Sequence, residues 1–178
     1  MATKKWVVDP THSEIQFKVK HLMITNVTGS FNIFTVNAET DGEDFTKATV
    51  SFTADTNSIS TGNEQRDGHL KSADFFDVEN FPHIKFIATK YENVDNDGSY
   101  ELYGDLTIKD VTRQVKLSVE FGGVAKDPWG NTKAGFTISG KINRKDFGLT
   151  WNAATETGGV LVSEEVRIHG EIQLIEQQ

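Results

Sequence analysis

Tyr100-Glu101-Leu102-Tyr103-Gly104-Asp105-Leu106-Thr107-Ile108 changes character at every step. Tyr100, Leu102, Gly104, Leu106 and Ile108 point one way; Glu101, Tyr103, Asp105, Thr107 and Lys109 point the other. Strict period two marks a strand that buries one face and wets the other. The next run repeats the pattern, with Val115, Leu117, Val119 and Phe121 set against Gln114, Lys116, Ser118 and Glu120. A sheet made only of such strands must close on itself or pack on a second sheet.

The rhythm recurs on both sides of this pair. Upstream, Ile84, Phe86 and Ala88 form one strand, and Ala48, Val50, Phe52 and Ala54 form another. Earlier still, a strand starts near Trp6, breaks at Asp9-Pro10, and resumes with Ile15, Phe17, Val19 and His21 on one side. Gly29 allows a bend before a strand through Phe31 and Ile33. Downstream, Ala134, Phe136, Ile138, Gly140 and Ile142 alternate. A loop rich in Thr and Gly follows Gly148, and Val166, Ile168, Gly170, Ile172 and Leu174 make the last strand. Asp41-Gly42 and Asn96-Asp97-Gly98 read as turns. The chain is all-β, with about eight strands spaced as in an antiparallel sandwich or barrel. No linker divides residues 1–178, which read as one domain.

One segment departs from this rhythm. Thr61-Gly62-Asn63-Glu64 has the spacing of a capping box. It predicts one short helix after the third strand, running to about residue 73, with Arg66, His69, Leu70 and Ala73 on one face. That helix is short enough to plug a barrel end.

Composition narrows the function. The 178 residues carry a formal net charge of −8, and Lys and Arg are scattered among acids without a basic stripe. This argues against nucleic acid and disfavours an anionic membrane surface. There is no cysteine, so disulfides, thiolate metal sites and cysteine catalysis are excluded. No window approaches a membrane span, so no stable membrane insertion is expected. Lys4-Lys5 lead straight into Trp6-Val7-Val8-Asp9 without the apolar stretch of a signal peptide. The expectation is a cytoplasmic protein, or a periplasmic one if a leader has been removed.

The question becomes what the dry face encloses. Phe, with 12 copies, dominates the aromatics and carries no polar handle. Many positions on the apolar faces are small: Ala48, Ala54, Ala88, Gly104, Ala134, Gly140 and Gly170. Pointing inward, they leave space beside the rings. Strand glycines also mark bulges and bends, so a cavity and a filled core both stay open. Candidate tail contacts are Phe17, Val19, Val50, Phe52, Phe86, Leu106, Ile108, Phe136 and Ile138. His21, Arg66 and His69, with Leu70 beside them, are candidates for a polar or phosphorylated head group. The plainer alternative pairs Arg66 with Asp67 or Asp74. Arg144 and Asp146 share a face and can pair with each other or with neighbours.

The motifs accumulate in order. Trp6-x-x-Asp9-x-x-His12-Ser13 opens the chain, followed by Phe17, His21 and Gly29-x-Phe31. Arg66-Asp67-x-His69-Leu70 runs into Asp74-Phe75-Phe76 and Phe81-Pro82-x-Ile84-x-Phe86. Gly104-x-Leu106-Thr107-Ile108 precedes Val111-Thr112, and Arg144-x-Asp146-Phe147-Gly148 closes the series. Over nearly the whole chain this resembles the YceI-like family of bacterial lipid- and polyisoprenoid-binding proteins. The resemblance implies a lipocalin-like antiparallel barrel with a long isoprenoid or fatty-acyl chain in an internal hydrophobic pore. It also implies a homodimer and no cofactor beyond the bound lipid.

Three functions compete. The first is non-enzymatic binding of a polyisoprenoid, an isoprenoid quinone precursor or a fatty-acyl derivative. The second is a hydrolytic or metal-dependent enzyme using the His12, His21 and His69 region. Asp9, His12 and Ser13 crowd into one segment, whereas relays are assembled from separate parts of a fold. The third is a structural module with a filled core.

Overall fold

The computed structural model describes residues 3–152 and 161–178. Its strand segments are β1 (Thr3–Val8), β2 (Glu14–His21), β3 (Thr25–Phe31), β4 (Phe34–Asp41), β5 (Asp44–Asp55), β6 (Ile59–Ser60), β7 (His83–Glu92), β8 (Tyr100–Ile108), β9 (Val111–Lys126), β10 (Thr132–Asn143) and β11 (Glu165–Gln177). One helix, α1 (Glu64–Lys71), follows β6. The Thr- and Gly-rich loop read from the sequence falls largely on residues 153–160, outside those described.

Closure is visible in the pairing. The ring runs β1-β4-β5-β7-β8-β9-β10-β11 and returns to β1 through Lys5↔Gln177 and Val8↔Leu174. This is a closed antiparallel barrel of eight strands. The short segments β2, β3 and β6 extend its wall at one end, where β2 takes over from β1 on the edge of β11.

Eleven segments and about eight strands describe the same chain, because three runs are kinked. Asp9 and Pro10 break the first run: the Asp9 carboxylate accepts the Thr11 N–H and closes a single 3₁₀ turn between β1 and β2. Asp55 does the same through the Asn57 N–H between β5 and β6. The third kink, at Asn32-Ile33, changes a sequence expectation. Phe31 is buried, but Ile33 is exposed and the next buried side chain is Val36. Two residues spent in the kink shift the inward set from odd to even numbers.

Apolar alternation is what the fold obeys elsewhere. Tyr100, Leu102, Gly104, Leu106 and Ile108 are all buried. One end of the barrel is closed by rings. Trp6 lies 5.0 Å from Phe45, and Phe45 lies 5.0 Å from Phe136 and 5.9 Å from Phe121. The Trp6 indole N–H donates to Thr40 Oγ1 at 2.8 Å, which satisfies its one polar atom. Tyr91 donates to the Ala48 carbonyl, and burial pushes its hydroxyl pKa up to about 12.

The small residues behave differently from the sequence reading. Of Ala48, Ala54, Ala88, Gly104, Ala134, Gly140 and Gly170, only Ala54 borders the interior chamber. The room at the glycines is already taken. A Cβ on Gly104 would lie 2.6 Å from Phe86 Cε1, one on Gly140 2.6 Å from Leu117 Cδ2, and one on Gly170 2.8 Å from Ile15 Cδ1. Gly29 seats the Phe17 ring in the same way. These side chains lie along the wall instead of across the lumen. The glycines therefore widen the interior indirectly, by giving large neighbours a flat place to rest.

Candidate functional site

Beyond the ring-closed end, the barrel encloses a chamber of about 550 Å³. Its wall is apolar nearly throughout. Ile15, Phe17 and Val19 come from β2; Val50, Phe52 and Ala54 from β5; Leu106 and Ile108 from β8. The volume lies in the range of small-molecule and lipid sites. A dry, apolar void of this size gives water few partners and a hydrocarbon many.

All the candidate contacts named from sequence border this chamber except one. Phe17, Val19, His21, Val50, Phe52, Arg66, His69, Leu70, Phe86, Leu106, Ile108 and Ile138 line it. Phe136 does not. It faces inward like Ala134 and Ile138, but nearer the closed end, where its ring packs against Phe45 and Phe121.

The open end is built around α1. The helix spans Glu64–Lys71, starting two residues later and ending two earlier than the sequence suggested, and its N-cap is Asn63, whose side chain accepts the Arg66 N–H. Thr61 has another job. Its N–H and hydroxyl both donate to Asp67 Oδ1, at 2.8 and 2.6 Å. Arg66 Nε donates to the Thr61 hydroxyl and Nη2 to the Thr61 carbonyl. Arg66 thus pairs with neither Asp67 nor Asp74, and its guanidinium is held at the chamber edge with donors to spare. His69 instead meets Asp74 at 2.9 Å and stands edge-on to Trp151, ring centroids 4.6 Å apart. Lys20, Asn63, Gln65 and Arg66 both line the chamber and face solvent, which locates its mouth.

Two features of this end escaped sequence reasoning. Trp151, Leu149, Leu161 and Val162 form part of the wall, although their segment has no strand rhythm. Arg144 is the residue that holds them. It is 3% exposed, and its described bonds all go to backbone carbonyls: Nε to Ser163, Nη1 to Leu149 and Trp151, Nη2 to Val162. Of the two partners the sequence left open, Asp146 or neighbouring groups, it takes the neighbours. Burial draws its pKa down, with Glu164 opposing. The Arg144-x-Asp146-Phe147-Gly148 motif was the signal: Phe147 is buried, and Gly148, at φ 78°, ends the turn that aims Arg144 inward.

Asp9, His12 and Ser13 are tied into the wall by hydrogen bonds. Asp9 is 6% exposed and accepts from Lys133 Nζ and His12 Nδ1, each at 2.8 Å, and from Thr11. Burial alone would raise its pKa, but these donors hold the carboxyl well below the usual range. Ser13 Oγ accepts the Gln173 N–H at 2.9 Å, so it is engaged with β11 rather than with His12. Together these bonds fix the first kink to β10 and β11. His12, His21 and His69 do not converge, and no group of three His, Asp or Glu suited to a metal exists among the described residues.

Comparison with known proteins places this architecture. The YceI-like domain family model matches residues 6–174. A UPF0312 protein of Staphylococcus aureus strain MSSA476 is 41% identical over 160 residues, covering 89% of this chain and 90% of that protein. A UPF0312 protein of Staphylococcus epidermidis is 43% identical over 164 residues, 92% of each. Among solved structures, a Campylobacter jejuni YCEI protein superposes with a TM-score of 0.75 at 34% identity, over 90% of this chain and 91% of that one. A polyisoprenoid binding domain from Saccharophagus degradans shares the fold, with a TM-score of 0.64 at 13% identity over 97% and 98% of the two chains.

Proposed function

This chain belongs to the YceI-like family, and we propose that it binds a long-chain apolar lipid inside its barrel without transforming it. The ligand class is a polyisoprenoid, an isoprenoid quinone precursor or a fatty-acyl derivative. The chamber carries this reading. Each buried methylene contributes about 0.8 kcal/mol, so a tail of about a dozen carbons gains roughly 10 kcal/mol before ordering costs. Affinity of this kind needs no exact hydrogen-bond geometry, which suits a wall of Phe, Val, Leu and Ile. Head-group discrimination falls to the mouth. Arg66, fixed by Thr61, and His21 offer donors to a carboxylate or phosphate there.

Mass spectrometry of an organic-solvent extract of the purified protein tests the proposal. The expected result is a long-chain lipid in near-stoichiometric amount. Lipid-free protein that is folded, yet does not enhance the fluorescence of an added polyene fatty acid, refutes it. Ile138→Asp puts a charge into the wall and abolishes uptake. Arg66→Ala lowers affinity for a prenyl phosphate and spares a neutral prenyl alcohol.

A further inference from the structure

On the proposed lipid-binding function, contact between the barrel mouth and a bilayer would spare the lipid tail a costly passage through water. Beside the mouth stands a hairpin tip that the chamber does not use. Leu22, Met23 and Ile24 join β2 to β3, and all three are exposed, Met23 by 54% and Ile24 by 75%. The tip borders the lining directly: Leu22 N–H donates to the Leu161 carbonyl, and His21 bridges to Val162. The turn is closed by Ile24 N–H to the His21 carbonyl, with Leu22 at φ 52° and Met23 at φ 59°. Two successive left-handed residues are what Asn-Gly supplies without strain. Bulky apolar residues there are a conformational cost with no packing return.

The charge around this tip is opposite to that of the molecule. Residues 15–38 contain no Asp or Glu, in a chain with 26 acids and a net charge of −8. Cations that are scattered in the sequence meet on the outer wall. Lys18 of β2 faces Arg167 of β11, and Arg167 faces Lys141 of β10. Lys116 of β9 lines the same shallow outer groove. All four are exposed. Like charges opposed across strands destabilise a sheet. Glu165 offsets only part of this, at 3.7 Å from Lys141 and 3.9 Å from Arg167. Lys18 lies three residues from His21, about 10 Å along the strand, which is about one Debye length at physiological salt.

We propose that the Leu22-Met23-Ile24 tip and the Lys18–Arg167–Lys141 ladder dock the mouth of the barrel on an anionic lipid bilayer. The tip reaches the boundary between head groups and acyl chains, and the ladder meets the lipid phosphates. Neither element alone is enough: three small apolar insertions bind weakly, and a short cation row is screened by salt. Docking is peripheral and reversible. It also turns Lys20, Arg66 and the chamber opening toward the lipid.

Flotation of the full-length protein with phosphatidylcholine vesicles, with and without phosphatidylglycerol, tests docking. The readout does not require the chamber to load, so failure to dock and failure to bind lipid are separate results. Wild type floats with the anionic vesicles, and rising salt releases it. Each cation near a charged surface contributes about fivefold in partitioning. K18Q/R167Q/K141Q therefore loses on the order of a hundredfold. L22N/M23G/I24S loses vesicle binding while its thermal midpoint is unchanged or raised, because Asn-Gly fits the turn. Wild type that stays unbound, or variants that float like wild type, overturns the proposal. So does tighter binding of a DNA duplex than of vesicles, or self-association that the tip variant abolishes while flotation persists.

Discussion

Gly29→Ala isolates how this barrel keeps its interior hollow. A methyl on Gly29 would lie 2.7 Å from Phe17 Cε1 and 2.8 Å from Cε2, and nearer still to Cζ. Ordinary contact begins at 3.4 Å, so Cε1 must retreat by 0.7 Å and Cζ, the nearest atom, by more. Backbone lies behind it, and the chamber is the open side. Overpacking of this kind costs about 1–3 kcal/mol. Removing a glycine from a strand returns roughly 0.5–1 kcal/mol. The net loss is about 0.5–2 kcal/mol, or a few degrees in Tm for a chain of this length. Uptake of a polyene fatty acid falls as well, because the displaced ring enters the lumen. In a Phe17→Leu background the obstruction is gone, and the same Gly29→Ala change becomes neutral or stabilising. Urea unfolding of the four proteins in the cycle gives the coupling directly. Additive effects, or wild-type uptake by Gly29→Ala, would refute the idea that ring seats set the lumen.

Two further outcomes follow from the braces. The Asp9 carboxyl is held below its ordinary pKa by Lys133, His12 and Thr11 against the opposing effect of burial, so its contribution to stability is complete above the unfolded-state value near 4 and is lost as pH falls below it. Asp9→Asn therefore lowers stability at neutral pH by about 2–4 kcal/mol and flattens the decline below about pH 4; parallel curves for the two proteins would contradict this. Arg144→Lys cannot reach four carbonyls from one ammonium and loses about 2–4 kcal/mol, read as a lower urea midpoint at unchanged m-value.

Much of this architecture was legible in the sequence because a half-buried strand imposes a period of two on side chains. That is why residues 100–108 and 115–121 read correctly, and why the wall positions Phe17, Val50, Phe52 and Ile138 could be named from parity alone. Parity fails where the backbone spends residues out of register. Asn32-Ile33 put Ile33 outside. Phe136 kept its parity, but parity gives direction and not level, and its level is that of the closed end. Volume was harder to read than direction. A glycine in a strand says that something approaches closely, but whether that is empty space or the Phe86 ring depends on the neighbouring strand. Arg144 shows a third limit. Its partners are main-chain carbonyls, which every residue has, so no residue type in the sequence announces them. The ladder of Lys18, Arg167 and Lys141 was invisible for a related reason: Lys18 stands more than a hundred positions from the other two and meets them only through register.

The seam between β1 and β11 joins Lys5 to Gln177, almost the full length of the chain. A polypeptide emerging from the ribosome cannot make that pairing until Gln177 has left the exit tunnel. Until then the nascent sheet carries two unsatisfied edges and an apolar face open to water, the condition in which β proteins aggregate or recruit chaperones. Loss of β11 would thus do more than remove one strand. It would leave β1, β2 and β10 without the one strand that joins them, and the barrel could not close.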